Sequence, residues 1–322
     1  MKAFTIFLIF LSFSAEALTI KIATLAPKNS GFGKPLVDLT KRIKKATKGR
    51  IKLKIFYGGI QGEEEDVMRK IRIGNLQGGS FSTRTLGDIH PDIRALEIPY
   101  LVNDKEAFEK TVAYVEKNYQ IALPKKDLIP LGFFRVGPVY LFTTKSFDTK
   151  SEIEKLKFWT WGQDRLTQAW MQILELNSVP LTLADVAISV STGIVDAAYN
   201  TPLGIVALQW LHLFKYMSKK PVSYTFSAFV LSKKAWGKIS ATDKTILRNE
   251  FKALQEVADK QVDGANDEAF KILSAGKIVM EDFDQKEYNR TLKLRTKLVE
   301  KLRGNYFSKE TSAFLLKVLS TK

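Results

Sequence analysis

The chain contains no cysteine. That excludes disulfides, thiolate zinc sites and the lipid-bearing cysteine of a lipoprotein signal. Only two histidines are present. His90 stands before Pro91, and His212 sits in an apolar run. Neither has a histidine or carboxylate at metal-ligand spacing, so no metal is expected. There is no G-x-S-x-G nucleophile elbow. The stretch Gly74-Asn-Leu-Gln-Gly-Gly79 lacks both the P-loop lysine and a dinucleotide fingerprint, so no cofactor is expected either. The four acids Glu63–Asp66 occupy consecutive helical positions and fan around the axis, which reads as a solvated first turn complementing the helix dipole. These absences rank an enzyme low. A carboxylate-dependent hydrolase stays open, because carboxylates paired from distant positions leave no local signature. Low-complexity segments, internal repeats and a run of ~20 apolar residues fit for a membrane span are missing as well.

What is present is ordinary globular chemistry. The chain has 322 residues, 45% hydrophobic and 26% charged, enough for about two domains. Lys2, the short apolar run Ala3 to Phe13 and the small residues of Ala15-Glu16-Ala17 compose a signal peptide over residues 1–17, cleaved near Ala17. The expected location is the periplasm. The net charge is +16. Such a charge raises nucleic acid as a partner, yet the basic residues are dispersed, as at Lys41, Arg42, Lys44, Lys45, Lys219, Lys220, Lys233 and Lys234. The charge therefore reads as a solvated surface and no nucleic-acid partner is expected.

The periodicities alternate between strand and helix. Leu18 to Leu25 alternates as a strand, Phe32, Leu36, Leu39, Ile43 and Ala46 recur at helical spacing, and Ile51–Phe56 alternates again. A second unit has Lys157–Trp161 as strand, Arg165 to Leu176 as helix and Val179 to Leu181 as strand. Leu128 to Phe134 and Tyr140 to Thr144 read as two strands around Gly137-Pro138. Ser240-Ala-Thr-Asp243 is a capping box opening a helix through about Ser274. The expectation is an α/β chain of two lobes with a ligand cleft between them and a long connecting helix. One lobe is assigned 18–137 plus 221–240, the other 138–220 plus 275–322, and the helix 241–274 spans both.

Several segments in this order resemble the solute receptors of TRAP (tripartite ATP-independent periplasmic) transporters, the DctP-like family. They are Gly59-Ile-Gln-Gly-Glu63 followed by Gly74-Asn-Leu-Gln77, Ala95 to Leu101, Ile153 to Lys157, and Leu176 to Leu181 followed by Asp185-Val186, Thr192 to Asp196 and Asn200. Phe270 to Glu281 is similar to the family's C-terminal helix and strand. The resemblance implies a periplasmic-binding-protein fold, capture of an organic anion, and delivery to membrane permease subunits without chemistry on the ligand. It also implies an arginine in a "K-i-R" strand and a second in a "G-x-R" segment, whose planar forks pair carboxylate oxygens.

At those two positions this chain has Trp159 and Val139. A desolvated carboxylate without a cation costs several kcal/mol. A site lined by Trp159, Trp161, Val139, Phe81, Tyr199 and Asn200 is expected instead to prefer an apolar or aromatic organic acid or a neutral lipophilic compound. Arg135, Arg84 and Arg165 remain as alternative anion anchors. Each aromatic also has a plain reading as core, and Asn200 as a turn residue before Pro202. A further alternative is an interaction or sensor protein with a repurposed cleft. A collapsed cleft would favour that reading, and an open pocket would favour transport.

Overall fold

The computed structural model describes residues 17–102, 105–276 and 278–320. Apart from Ala17, the expected signal peptide lies outside the described residues. The chain begins with β1 (Leu18–Ala23), α1 (Lys34–Ala46), β2 (Ile51–Phe56), α2 (Glu64–Arg72) and β3 (Gly78–Ser82). A short α3 (Thr83–Gly87) and a 3-10 turn over Pro91–Glu97 lead to α4 (Lys105–Ala122) and the long β4 (Leu128–Thr143). The next run is α5 (Lys150–Ile153), β5 (Lys157–Trp161), α6 (Arg165–Leu174), β6 (Asn177–Leu181), α7 (Val186–Ser191), β7 (Ala197–Asn200) and α8 (Pro202–Ala207). Then come β8 (Tyr216–Ser218), β9 (Ser223–Ser232), α9 (Lys233–Gly237) and α10 (Ala241–Ala275), followed by β10 (Val279–Glu281), α11 (Gln285–Leu302) and α12 (Lys309–Ser320).

Parallel pairing of β1 with β2 and β3, and of β5 with β6 and β7, makes two half-sheets, each with helices on its faces. The strand order β2-β1-β3-β9-β4-β7-β5-β6 places β9 and β4 between them. The two pair antiparallel from Leu128 opposite Ser232 to Val139 opposite Ser223, and β4 continues to β7 in the second half. The result is a two-lobed α/β fold in which one strand runs through both lobes.

That strand differs from the expected pair of strands around Gly137-Pro138. Residues 128–143 are continuous, and register shifts between Pro130 and Gly132 and between Arg135 and Gly137 absorb the residues that read as breaks. Gly137 has φ +132°, and a Cβ there would lie 2.4 Å from Nδ2 of Asn266. The Asn266 amide is buried in α10, donates to the carbonyls of Val136 and Val262 at 3.0 Å each, and accepts from the Leu203 N–H at 3.2 Å. A single side chain of the long helix thus ties the bend of β4 to the start of α8.

Helix α10 has 35 residues and is about 52 Å long at 1.5 Å per residue. Ser240 caps it, accepting from the Asp243 N–H at 3.1 Å. The return half of the expected box is not made, because the Asp243 carboxylate takes a two-pronged ion pair from Arg50 at 2.7 and 3.1 Å. Leu247, Phe251 and Leu254 bury its first half against β1, β2 and α1. Among the described residues, no helix is long and apolar enough to cross a membrane, and no group of three metal-ligating side chains occurs.

Candidate functional site

Between the two half-sheets lies a cleft with two chambers. The outer one, of about 410 Å³, is bordered by the loop after β1 at Ala26 and Pro27, by Phe81, by Leu203 of α8 and by Val262 of α10. The inner one, of about 200 Å³, runs between β5, α6 and α11 and is walled by Phe158, Leu166, Trp170, Leu174 and Thr291. Ser82, Trp161, Leu183, Asn200 and Thr225 line both and form the neck.

The strand Lys-Phe-Trp-Thr-Trp of β5 sets the character of the neck. Alternation sends Phe158 toward α6 and the two tryptophans to the opposite face. The rings of Trp159 and Trp161 are 5.9 Å apart, and Trp159 stacks on Tyr199 at 5.1 Å and meets Trp210 edge-on at 6.1 Å. Trp159 is 1% exposed, and its indole N–H donates to the Leu181 carbonyl at 3.1 Å. The Trp161 indole N–H donates to Glu63 at 3.3 Å, joining the first turn of α2 to β5 across the cleft.

The first turn of α2 departs from the solvated reading. Its carboxylates fan out as expected, but each meets a partner. Glu64 is buried and accepts from the Ser82 N–H and Oγ–H at 2.8 and 2.7 Å. Glu65 pairs with Arg84, and Asp66 accepts from the Glu63 N–H at 3.1 Å. Burial pushes the Glu63 and Glu64 carboxyls above their ordinary values.

A second cross-cleft link joins the Pro91–Glu97 turn to α6. Asp164 caps α6 through the Leu166 N–H at 3.0 Å, and its carboxylate receives Nη1 and Nη2 of Arg94, the latter at 2.9 Å. The same guanidinium donates from Nε to Glu97 at 2.8 Å and from Nη1 to the Tyr306 hydroxyl at 3.0 Å. Burial alone would raise the Asp164 carboxyl, yet the Arg94 charge and its hydrogen bonds, helped by Thr167 and Arg84, outweigh that and bring it down to about 2. Burial pushes the Tyr306 phenol up to about 12.

The other expected site residues fall as follows. Val139, Tyr199 and Asn200 line the inner chamber beside Trp159 and Trp161. The Asn200 side-chain oxygen Oδ1 accepts from the Thr201 N–H at 2.8 Å, and its side-chain nitrogen Nδ2 has no partner among the described residues. Phe81 borders the outer chamber but is fully buried in the core. Of the three arginines, Arg84 lines the inner chamber, with its guanidinium 6.0 Å from the Trp161 ring and its buried Nε lacking a partner. Arg135 lies at the outer chamber and is held by Glu109 at 3.0 and 3.1 Å. Arg165 is exposed, points to the Asn305 carbonyl at 3.1 Å and lies outside both chambers. Glu63, Arg94 and Asp164 were not foreseen. Asp164 was legible as a helix cap before Arg165, but its partner stands 70 positions upstream.

This geometry, two α/β lobes around one apolar-walled cleft, defines a binding protein for small molecules. The family profile of bacterial extracellular solute-binding proteins, family 7 (DctP), matches residues 22–304, so the chain belongs to that family. It is 23% identical over 284 residues to a solute-binding protein of Chromohalobacter salexigens, covering 86% of this chain and 83% of the relative. It is 22% identical over 257 residues to the 2,3-diketo-L-gulonate-binding periplasmic protein YiaO of Escherichia coli, covering 78% and 77%. The sugar acid binding protein DctPAm of Advenella mimigardefordensis, solved with galactonate, superposes with a TM-score of 0.85 at 21% identity, covering 95% of this chain and 98% of that one.

Proposed function

We propose that this chain is an exported, periplasmic receptor of a TRAP-type transporter that encloses one predominantly apolar or aromatic small molecule and passes it unchanged to membrane permease subunits. The observation that carries the reading is the charge state of the lining. Trp159 and Val139 stand where the family resemblance implies arginines, and every arginine that does line the chambers is already paired with a carboxylate of the chain. Arg84 pairs with Glu65, Arg94 with Asp164 and Glu97, Arg135 with Glu109, and Arg290 with Glu287. A ligand carboxylate would have to displace one of these partners and strand it in a poorly hydrated site. The relatives' sugar acids therefore transfer to this chain as a fold precedent and not as its ligand. An outer chamber of about 410 Å³ supports transport over a repurposed, collapsed cleft. The acids at the cleft are committed to caps, ion pairs and, for Glu64, hydrogen bonds from Ser82, which supports a role without chemistry on the ligand.

The lobes proposed for closure are 18–137 with 221–240 and 138–220 with 275–322, spanned by 241–274. The register shift between Arg135 and Gly137 supports the boundary, and the C-terminal residues reach across it, Tyr306 bonding Arg94 and Ser308 bonding Asp92 at 2.8 Å. Native mass spectrometry of the protein purified from its own periplasm, followed by denaturation and identification of the released molecule, tests the reading. One apolar or aromatic compound per chain is expected. A hydrophilic dicarboxylate or sugar acid would overturn the ligand class, and a mass unchanged after incubation with a broad metabolite panel would overturn the receptor reading.

A further inference from the structure

The two chambers are unequal in a way that bears on the shape of the solute. Complete small-molecule pockets occupy roughly 300–1,000 Å³. The outer chamber, about 410 Å³, meets that range by itself, whereas the inner one, about 200 Å³, falls short and shares the neck residues with the first. The inner chamber is therefore an extension of a site. Leu166, Trp170 and Leu174 recur every four residues along α6 and form one apolar stripe facing it. From Leu166 to Leu174 the helix rises about 12 Å. An extended hydrocarbon zigzags and advances only about 1.25 Å for each carbon–carbon bond of about 1.5 Å, so a chain of about ten carbons covers that distance. The charged groups along the way are cancelled within the protein, Asp164 by Arg94 near the neck and Glu287 by Arg290 at the α11 side. Polar groups without such pairing remain at the neck, where the Asn200 side-chain amide nitrogen has no partner among the described residues and Thr225 belongs to the same lining, while the Ser82 hydroxyl is already given to Glu64.

We infer that the inner chamber takes an unbranched hydrocarbon tail, so that the solute is an amphipathic molecule with its polar head at the neck and a chain of about ten carbons laid along α6. The inference rests on the receptor reading above and narrows it to a chain-bearing compound.

Isothermal titration of the wild-type protein with butyrate, hexanoate, octanoate, decanoate and dodecanoate, and with the matching primary alcohols, tests it, with benzoate and phenylacetate as short aromatic controls. Affinity is expected to rise about fourfold per added methylene up to about ten carbons and then level off. Thr291→Phe, which fills the chamber from α11, is expected to move that break to shorter chains. Leu174→Trp makes the same test from α6, and thermal melts select the variants that fold. Affinities independent of chain length, or a break unmoved in a folded variant, would overturn the tail assignment. If benzoate or phenylacetate still binds in that case, the receptor reading survives. If no acid, alcohol or aromatic control binds, both fall together.

Discussion

Trp159 shows how much one residue decides here. Its ring is wedged among Tyr199, Trp161 and Trp210 with its N–H on the Leu181 carbonyl, so it is part of the wall and of the core together. Trp159→Arg would place a guanidinium at the position the family resemblance assigns to one. In this setting the charge is buried without a carboxylate, which costs about 3 kcal/mol or more in the free protein. A small carboxylate would supply the missing partner. The expected outcome is a variant with a lower Tm than wild type that recovers part of the difference in millimolar succinate, while wild type shows no such response. A variant equally unstable with and without succinate would place Trp159 away from the ligand.

At the scale of elements, the alternating and helical periodicities were legible because each is written within a dozen residues. Ile51–Phe56 and Lys157–Trp161 coincide with β2 and β5, and the long helix begins at its serine cap. Three things were not legible, each for a physical reason. Strand β4 reads as two because a glycine and a proline interrupt its pattern, and only pairing with β9 makes it one. The partners of Glu63, Glu64 and Glu65 lie on other segments, so local spacing spoke of solvent. The Arg94–Asp164 link closes 70 positions of chain, and no local pattern marks it. The β4 bend also carries a prediction. Gly137→Ala forces an L side chain to φ +132° and pushes a methyl into the Asn266 amide. Strained backbone of this kind costs about 1–3 kcal/mol, and losing the amide's bonds adds to it. Gly74, at φ +85° with open space around it, is the control. Urea unfolding is expected to show Gly137→Ala losing at least about 1 kcal/mol more than Gly74→Ala, and equal losses would mean that the bend yields.

For the whole molecule, the cleft links make stability depend on pH. Asp164 sits near 2 when folded against an ordinary value of 3.8. The folded chain therefore holds that proton less readily than the unfolded chain, and stability rises with pH through this interval. The contribution, about 2 kcal/mol, is complete above about pH 4 and is lost as pH falls toward 2. Glu63 and Glu64, raised by burial, act the other way and favour the folded state in acid, with that share lost as pH rises through their folded values. Asp164→Asn isolates the bridge. The stability gap between wild type and variant is expected to be largest at pH 6 and to narrow by pH 2.5, and a gap constant across that range would remove Asp164 as its source.

The bend at Gly137 has one more consequence. It is held by Asn266 through main-chain groups, the carbonyl of Val136 and the N–H of Leu203, and by the bare Cα of a glycine. No side chain that faces the chambers takes part. The joint proposed here and the proposed lining therefore draw on different atoms, main chain for the one and side chains for the other, even where they share Val136 and Leu203. Substitutions in the lining can accumulate without retuning the joint, so a lineage can change its cargo while keeping its machinery. Grafting a new lining onto this frame should accordingly be a matter of pocket chemistry alone.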